Sequence, residues 1–192
     1  MPSRFSQKFE TQELKDKYNI YNLDKISNYF YEKKVGDRII VLSNKNNKEF
    51  KLYKFGWKRK WSDKLIINAR RETVSKNMFS EAFNSRRCIV PVSQFYEWFD
   101  GEKYRIWLDS YDIISFAAIW EEDEGEKFLV LLTQDSEGKL KEIHERMPVL
   151  FTSLYEENLW LNEGKILDNS LRKKLIVKKE SEIVEKGLNR FF

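Results

Sequence analysis

The chain has 192 residues, 34% of them charged, a formal net charge of +4, 15% aromatic residues including six Trp, and a single Cys and a single His. One Cys leaves no internal disulfide framework, one Cys with one His argues against a zinc site, and no apolar run approaches the length that spans a bilayer. The N-terminus lacks the charged-then-apolar pattern of a secretory signal. The expectation is a cytoplasmic, monomeric protein with no cofactor and no membrane association.

No Pro/Gly/Ser-rich linker divides the sequence, so one domain is predicted over 1–192, with a core over about 2–162 and a helical tail over about 163–192. From Thr11 to Lys17 a charged segment opening on Thr11 and Glu13 predicts a short surface helix capped at Thr11. Ile39 to Leu42 and Phe50 to Phe55 read as strands flanking Asn44-Lys45-Asn46-Asn47, a hairpin loop. Next, Lys58-Arg59-Lys60 lies between Trp57 and Trp61. Cations neutralise phosphate while an aromatic face accepts a base, which suits a single-strand groove. The plainer reading is a buried Trp57 and a solvated basic loop.

Leu65-Ile66-Ile67 predicts a short buried strand ending at Asn68, followed by Arg70 and Arg71. From about Ser75 to Asn84, Met78, Phe79, Ala82 and Phe83 recur at helical spacing. Cys88-Ile89-Val90 predicts a strand that Pro91 interrupts, and Cys88 reads as a small core residue. Phe95-Tyr96-Glu97-Trp98 then runs with period two, placing Phe95 and Glu97 on one face and Tyr96 and Trp98 on the other. A carboxylate there either pairs with an Arg or has a raised pKa suited to acid or base work. Tyr104 to Leu108, Ile113 to Trp120 and Phe128 to Thr133 read as further strands, with Glu121 to Glu126 as an acidic loop that lies off any phosphate path. Past Leu154 the chain reads as helical, with Leu171, Leu175 and Ile176 as a packing stripe.

Four blocks in this order, Asn68-Ala69-Arg70 with Glu72-Thr73, Arg87-Cys88-Ile89-Val90-Pro91, Phe95-Tyr96-Glu97-Trp98 and Ile143-His144-Glu145-Arg146-Met147-Pro148-Val149, resemble the SRAP family, the SOS response-associated peptidase domain. The resemblance runs from about Arg4 to about Trp160. It implies an α+β fold, a mostly antiparallel β sheet curled around a basic cleft with peripheral helices. It also implies a DNA damage response protein that holds single-stranded DNA and bonds covalently to the ring-opened aldehyde of an abasic site. By family position Pro2, Asn68, Glu97 and His144 are the catalytic candidates. Arg4, Phe5, Trp61, Arg70, Met78, Thr133, Arg146, Met147 and Pro148 are the DNA-binding ones, with Arg4, Arg70 and Arg146 on phosphates and Trp61 and Met147-Pro148 wedging bases.

Two positions depart from the family pattern. Tyr21-Asn22 replaces a common Ala-Pro pair, and Pro2 stands where the family has its nucleophilic Cys. Pro2 has no thiol, so a thiazolidine ring cannot form. If Met1 is removed, the secondary amine of Pro2 can attack an aldehyde to give an iminium. Otherwise the chain is a module that shields abasic single strands without chemistry. The peptidase of the family's name needs a nucleophile that position 2 no longer supplies.

Overall fold

The computed structural model describes residues 3–20, 23, 26–43, 49–59, 62–108, 113–168 and 175–183. In chain order the elements are β1 (Arg4–Ser6), α1 (Thr11–Tyr18), β2 (Glu32–Lys34), β3 (Arg38–Leu42), β4 (Phe50–Phe55), β5 (Trp57–Arg59), β6 (Ser62–Ile66), β7 (Asn68–Arg70), α2 (Ser80–Ser85) and β8 (Arg87–Val92). They continue as β9 (Gln94–Phe99), β10 (Glu102–Leu108), β11 (Ile114–Asp123), β12 (Glu126–Asp135), β13 (Arg146–Pro148), β14 (Leu150–Phe151), α3 (Leu154–Glu163) and β15 (Leu175–Lys179). The expected α+β class with mainly antiparallel strands is observed.

Strands β12, β4, β3, β8 and β11 form a closed ring, because β12 pairs with both β4 and β11. All pairings in it are antiparallel except β4 with β12. A second sheet runs in the order β15-β10-β9-β1-β2. Side chains that alternate along a strand fall into two cores. Leu129 and Leu131 of β12 join Phe55, Val90 and Phe116 and the inward residues of the second sheet, Phe5, Phe95 and Ile106. Val130 and Leu132 join the apolar faces of the helices through Leu14, Ala82 and Trp160. The Phe5 ring packs edge-on to Phe116 and tilted on Phe55, with centroids 5.7 Å apart in both cases. Gln7, fully buried, accepts from the Ile40 N–H and donates to the carbonyls of Ile40 and Pro91, tying the chain after β1 to β3 and β8.

Several sequence expectations change. Helix α1 is capped at Glu10 rather than Thr11, since the Glu13 carboxylate accepts the Glu10 N–H in a capping box. Helix α2 begins only at Ser80, after a 3-10 turn over Val74–Lys76 and an Asn77 side chain that accepts the Phe79 N–H. Met78 therefore precedes the helix and is 48% exposed instead of packing inward. Strand β8 continues through Pro91, whose missing N–H is no loss where its carbonyl is taken by Gln7. The break falls at Ser93 instead, where its N–H reaches the Ser6 carbonyl.

The expected acidic loop is mostly strand. Asp123 pairs with Glu126, leaving Glu124 and Gly125, with φ of 49° and 80°, as a two-residue hairpin turn. The tail is corrected as well. Leu175 and Ile176 belong to strand β15, which pairs with β10 along five residues and seats Leu175 in the core. Leu171 lies outside the described residues, as do the Asn44 to Asn47 loop, Tyr21 and Asn22.

Candidate functional site

The C-terminal half of β12 organises the site. Its first half is flanked by β4 and β11, and its last residues by β7 on one side and β13 on the other. Arg70, Thr133 and Pro148 thus lie in one row across three strands, and Asp135 faces Arg146. Asn68 opens β7, and His144 lies two residues before β13 begins at Arg146. Ile67 and Ile143, the chain neighbours of Asn68 and His144, pack on the same apolar cluster as Phe95, which shares its face of β9 with Glu97.

Glu97 is 4% exposed, and burial pushes its carboxyl above the usual carboxylate range. Strand β1 leads toward it. Arg4 pairs with Tyr96 and Phe5 with Phe95, so one further step of this antiparallel register sets Ser3 opposite Glu97. Pro2 lies outside the described residues, as does Trp61. The Asn68 amide is the oddest group. Both its oxygen and its nitrogen are sealed from solvent, and neither has a hydrogen-bond partner among the described residues. A buried amide left unsatisfied costs about 1–3 kcal/mol, so it marks a position kept for something else.

His144 is half-buried, and burial pushes its pKa below 6.5. Its Nδ1 accepts the Arg146 backbone N–H at 3.0 Å. A ring nitrogen that accepts carries no proton, so in the neutral ring the hydrogen sits on Nε2. The loop before it is held by the His144 and Ile143 N–H groups on the Leu140 carbonyl and by the Ser136 N–H on the Glu145 carbonyl.

The DNA-binding candidates divide. Arg70 is exposed and its side chain has no hydrogen bond or ion pair among the described residues, while the Arg4 side chain is 41% exposed, 3.5 Å from Glu32 and over the Trp98 ring at 5.7 Å. Both guanidiniums are available to phosphate. Arg146 is not: its guanidinium meets Glu72 in a two-pronged pair at 3.0 and 2.9 Å, Asp135, and the Thr133 carbonyl at 2.7 Å. Phe5 and Met147 are buried in the core and Thr133 and Pro148 are sealed, so none of the four offers a surface to DNA, and the expected wedge of Met147-Pro148 between bases is not seen. Met78 is the exposed apolar candidate.

The basic stretch between the indoles also changes character. Trp57 is buried and donates to the Phe128 carbonyl, as the plainer reading had it. Arg59 lies over the Trp57 ring at 4.6 Å and pairs with Glu121 at 3.2 Å. With Lys58 it lines a surface cavity of about 340 Å³ opposite Asp123, Glu124 and Glu126. These cations face the acidic hairpin rather than an open groove. Cys88 is fully buried and its thiol is pushed far up by burial, an inert core group. Among the described residues no cluster of His, Cys, Asp and Glu could hold a metal, and no helix is long and apolar enough to cross a membrane.

Sequence reasoning missed Glu72 and Asp135 as partners of Arg146, and Arg87 as a structural cation. Arg87 donates to the carbonyls of Phe83 and Asn84 at the end of α2 and of Leu161 and Asn162 at the end of α3. Only the position of Glu72 within the Asn68–Thr73 block could have hinted at the first.

The fold is similar to solved structures. A protein of Bordetella bronchiseptica matches with a TM-score of 0.76 at 15% identity over 92% of this chain and 98% of its own. A protein of Bacteroides thetaiotaomicron matches with a TM-score of 0.71 at 20% identity over 95% of this chain and 94% of its own. Among curated proteins, the abasic site processing proteins YoqW and YoaM of Bacillus subtilis are 37% and 35% identical over 108 residues. Each match spans 50% of this chain and only 48% and 47% of the relative, about half its length. The family model described as SOS response associated peptidase (SRAP) matches residues 1–186, and the chain belongs to that family.

Proposed function

We propose that this chain recognises abasic sites in single-stranded DNA and carries out amine chemistry on the opened sugar. The observation that supports this most is the sealed amide of Asn68, whose oxygen and nitrogen have no hydrogen-bond partner among the described residues. An amide can both donate and accept, so it suits a sugar hydroxyl or an attacking amine. Arg4 and Arg70 hold phosphates and Met78 abuts a base. Contacts to backbone and lesion carry no sequence readout.

The nucleophile, on sequence grounds, is the secondary amine of Pro2 once Met1 is removed. It adds to the C1′ aldehyde to give a carbinolamine. Loss of water, with one proton supplied to the departing hydroxyl, leaves an iminium cation. Glu97 takes the proton from the attacking amine, and His144, with its hydrogen on Nε2, donates to the sugar oxygen. A non-covalent shield for abasic strands is the second reading, favoured by the missing thiol.

The test is a single-stranded oligonucleotide with one abasic site, mixed with the protein with and without borohydride and resolved on a denaturing gel. A borohydride-dependent adduct on Pro2, lost in Asn68→Ala, is expected. Salt-sensitive binding with no adduct selects the shield. Equal affinity for intact and abasic strands would overturn both.

A further inference from the structure

One carboxylate spans the site. Glu72 follows β7, the strand that carries Asn68 and Arg70, and its two oxygens reach across the end of β12 to the Arg146 guanidinium on β13. Arg146 is the same residue whose backbone N–H supplies the hydrogen bond to His144 Nδ1. A two-pronged guanidinium–carboxylate pair fixes a plane as well as a distance, so it restrains rotation of the whole Arg146 residue. The Thr133 carbonyl and Asp135 complete the cage from β12. The charged groups that act on this segment include Glu72, Asp135, Glu145 and Arg146, with Arg70 acting on Glu72 and the N-terminal amine on His144.

We propose that Glu72 is a positioning residue: its grip on Arg146 holds the Arg146 N–H on His144 Nδ1 and thereby keeps the imidazole in the Nε2–H form, while tying that side of the site to the strand of Asn68. The proposal rests on the reading that His144 donates its Nε2–H as a hydrogen bond to the sugar oxygen. Without the grip, the Arg146 N–H swings off Nδ1 and the ring samples both tautomers. A fraction of the rings then presents a lone pair where a donor is needed, and their orientation loosens. Displacement of a proton donor by about 1 Å costs on the order of a hundredfold in rate. Arg146 accordingly serves the site through its backbone, and its side chain is an anchor rather than a phosphate clamp.

His144 is the only histidine, so a long-range ¹H–¹⁵N spectrum of labelled protein reports a single imidazole. The wild type is expected to show one Nε2–H tautomer with an acceptor Nδ1. Glu72→Ala is expected to move both nitrogen shifts toward the tautomer average. Glu72→Gln, which keeps one accepting oxygen, is expected to fall between. The comparison uses whichever of the two variants keeps the remaining amide spectrum. In parallel, single-turnover adduct formation should drop about tenfold or more while affinity for the abasic strand holds, since Glu72 is assigned no DNA contact. A wild-type Nδ1–H tautomer, or both variants keeping an unaltered Nε2–H pattern, overturns the proposal. If no adduct ever forms, the tautomer shift still decides the Glu72 coupling, and only the chemistry assigned to His144 falls.

Discussion

Arg4 and Tyr96 face each other across β1 and β9, one position before Phe5 meets Phe95. Phe5, one residue on, is driven the opposite way into the core against Phe55 and Phe116. A three-residue strand thus sends a cation to the surface and a ring to the interior.

Phe5→Ala should therefore act on stability. Truncating a fully buried Phe costs about 3–5 kcal/mol, and Phe5→Leu should recover most of it. Urea midpoints measure both. At temperatures where Phe5→Leu remains folded, its affinity for single-stranded DNA should equal that of the wild type.

Arg87→Ala should also unfold the protein more readily, by about 2–4 kcal/mol, because four carbonyls at two helix ends lose their donors together. Lysine cannot span both ends, so Arg87→Lys should recover less than half. Denaturant titration with tryptophan fluorescence is a direct monitor, since Trp160 of α3 packs beside this cation at 5.8 Å.

Asn68→Ala should separate function from stability. Removing a sealed amide that has no partner among the described residues relieves its desolvation, so stability should be unchanged or rise by up to about 1 kcal/mol. Adduct formation with the abasic strand should be lost. A large fall in melting temperature would mean that the amide has a structural partner.

The two titrating groups give opposite pH signatures. Glu97 holds its proton above the ordinary 4.5, so the native state binds that proton more tightly than the unfolded chain. Its contribution to stability is full below pH 4.5 and is lost as pH rises through the raised value. His144 is shifted below 6.5, so its contribution is full above pH 6.5 and is lost as pH falls through the lowered value. Urea midpoints across pH 4–8 for the wild type, Glu97→Gln and His144→Gln should show each slope vanish with its own residue.

What the sequence determined by itself is local. The period-two run Phe95 to Trp98 placed Glu97 on the buried face, the alternation in Phe50 to Phe55 marked β4, and the four blocks specified the family. Each of these depends on side chains a few residues apart, where strand geometry alone decides which way they point. The tertiary structure decided what depends on partners far along the chain. Leu175 and Ile176 became strand because β10 offered an unpaired edge, although their spacing also fits a helix. Arg146 was read as a phosphate clamp and Arg59 as either a phosphate contact or part of a solvated loop, but pairing across the sheet brought Glu121 to Arg59 and Glu72 and Asp135 to Arg146. A charge in a sequence has no partner until the strands pair, and here that pairing left Arg4 and Arg70 available to phosphate and turned Arg146 into the anchor of His144.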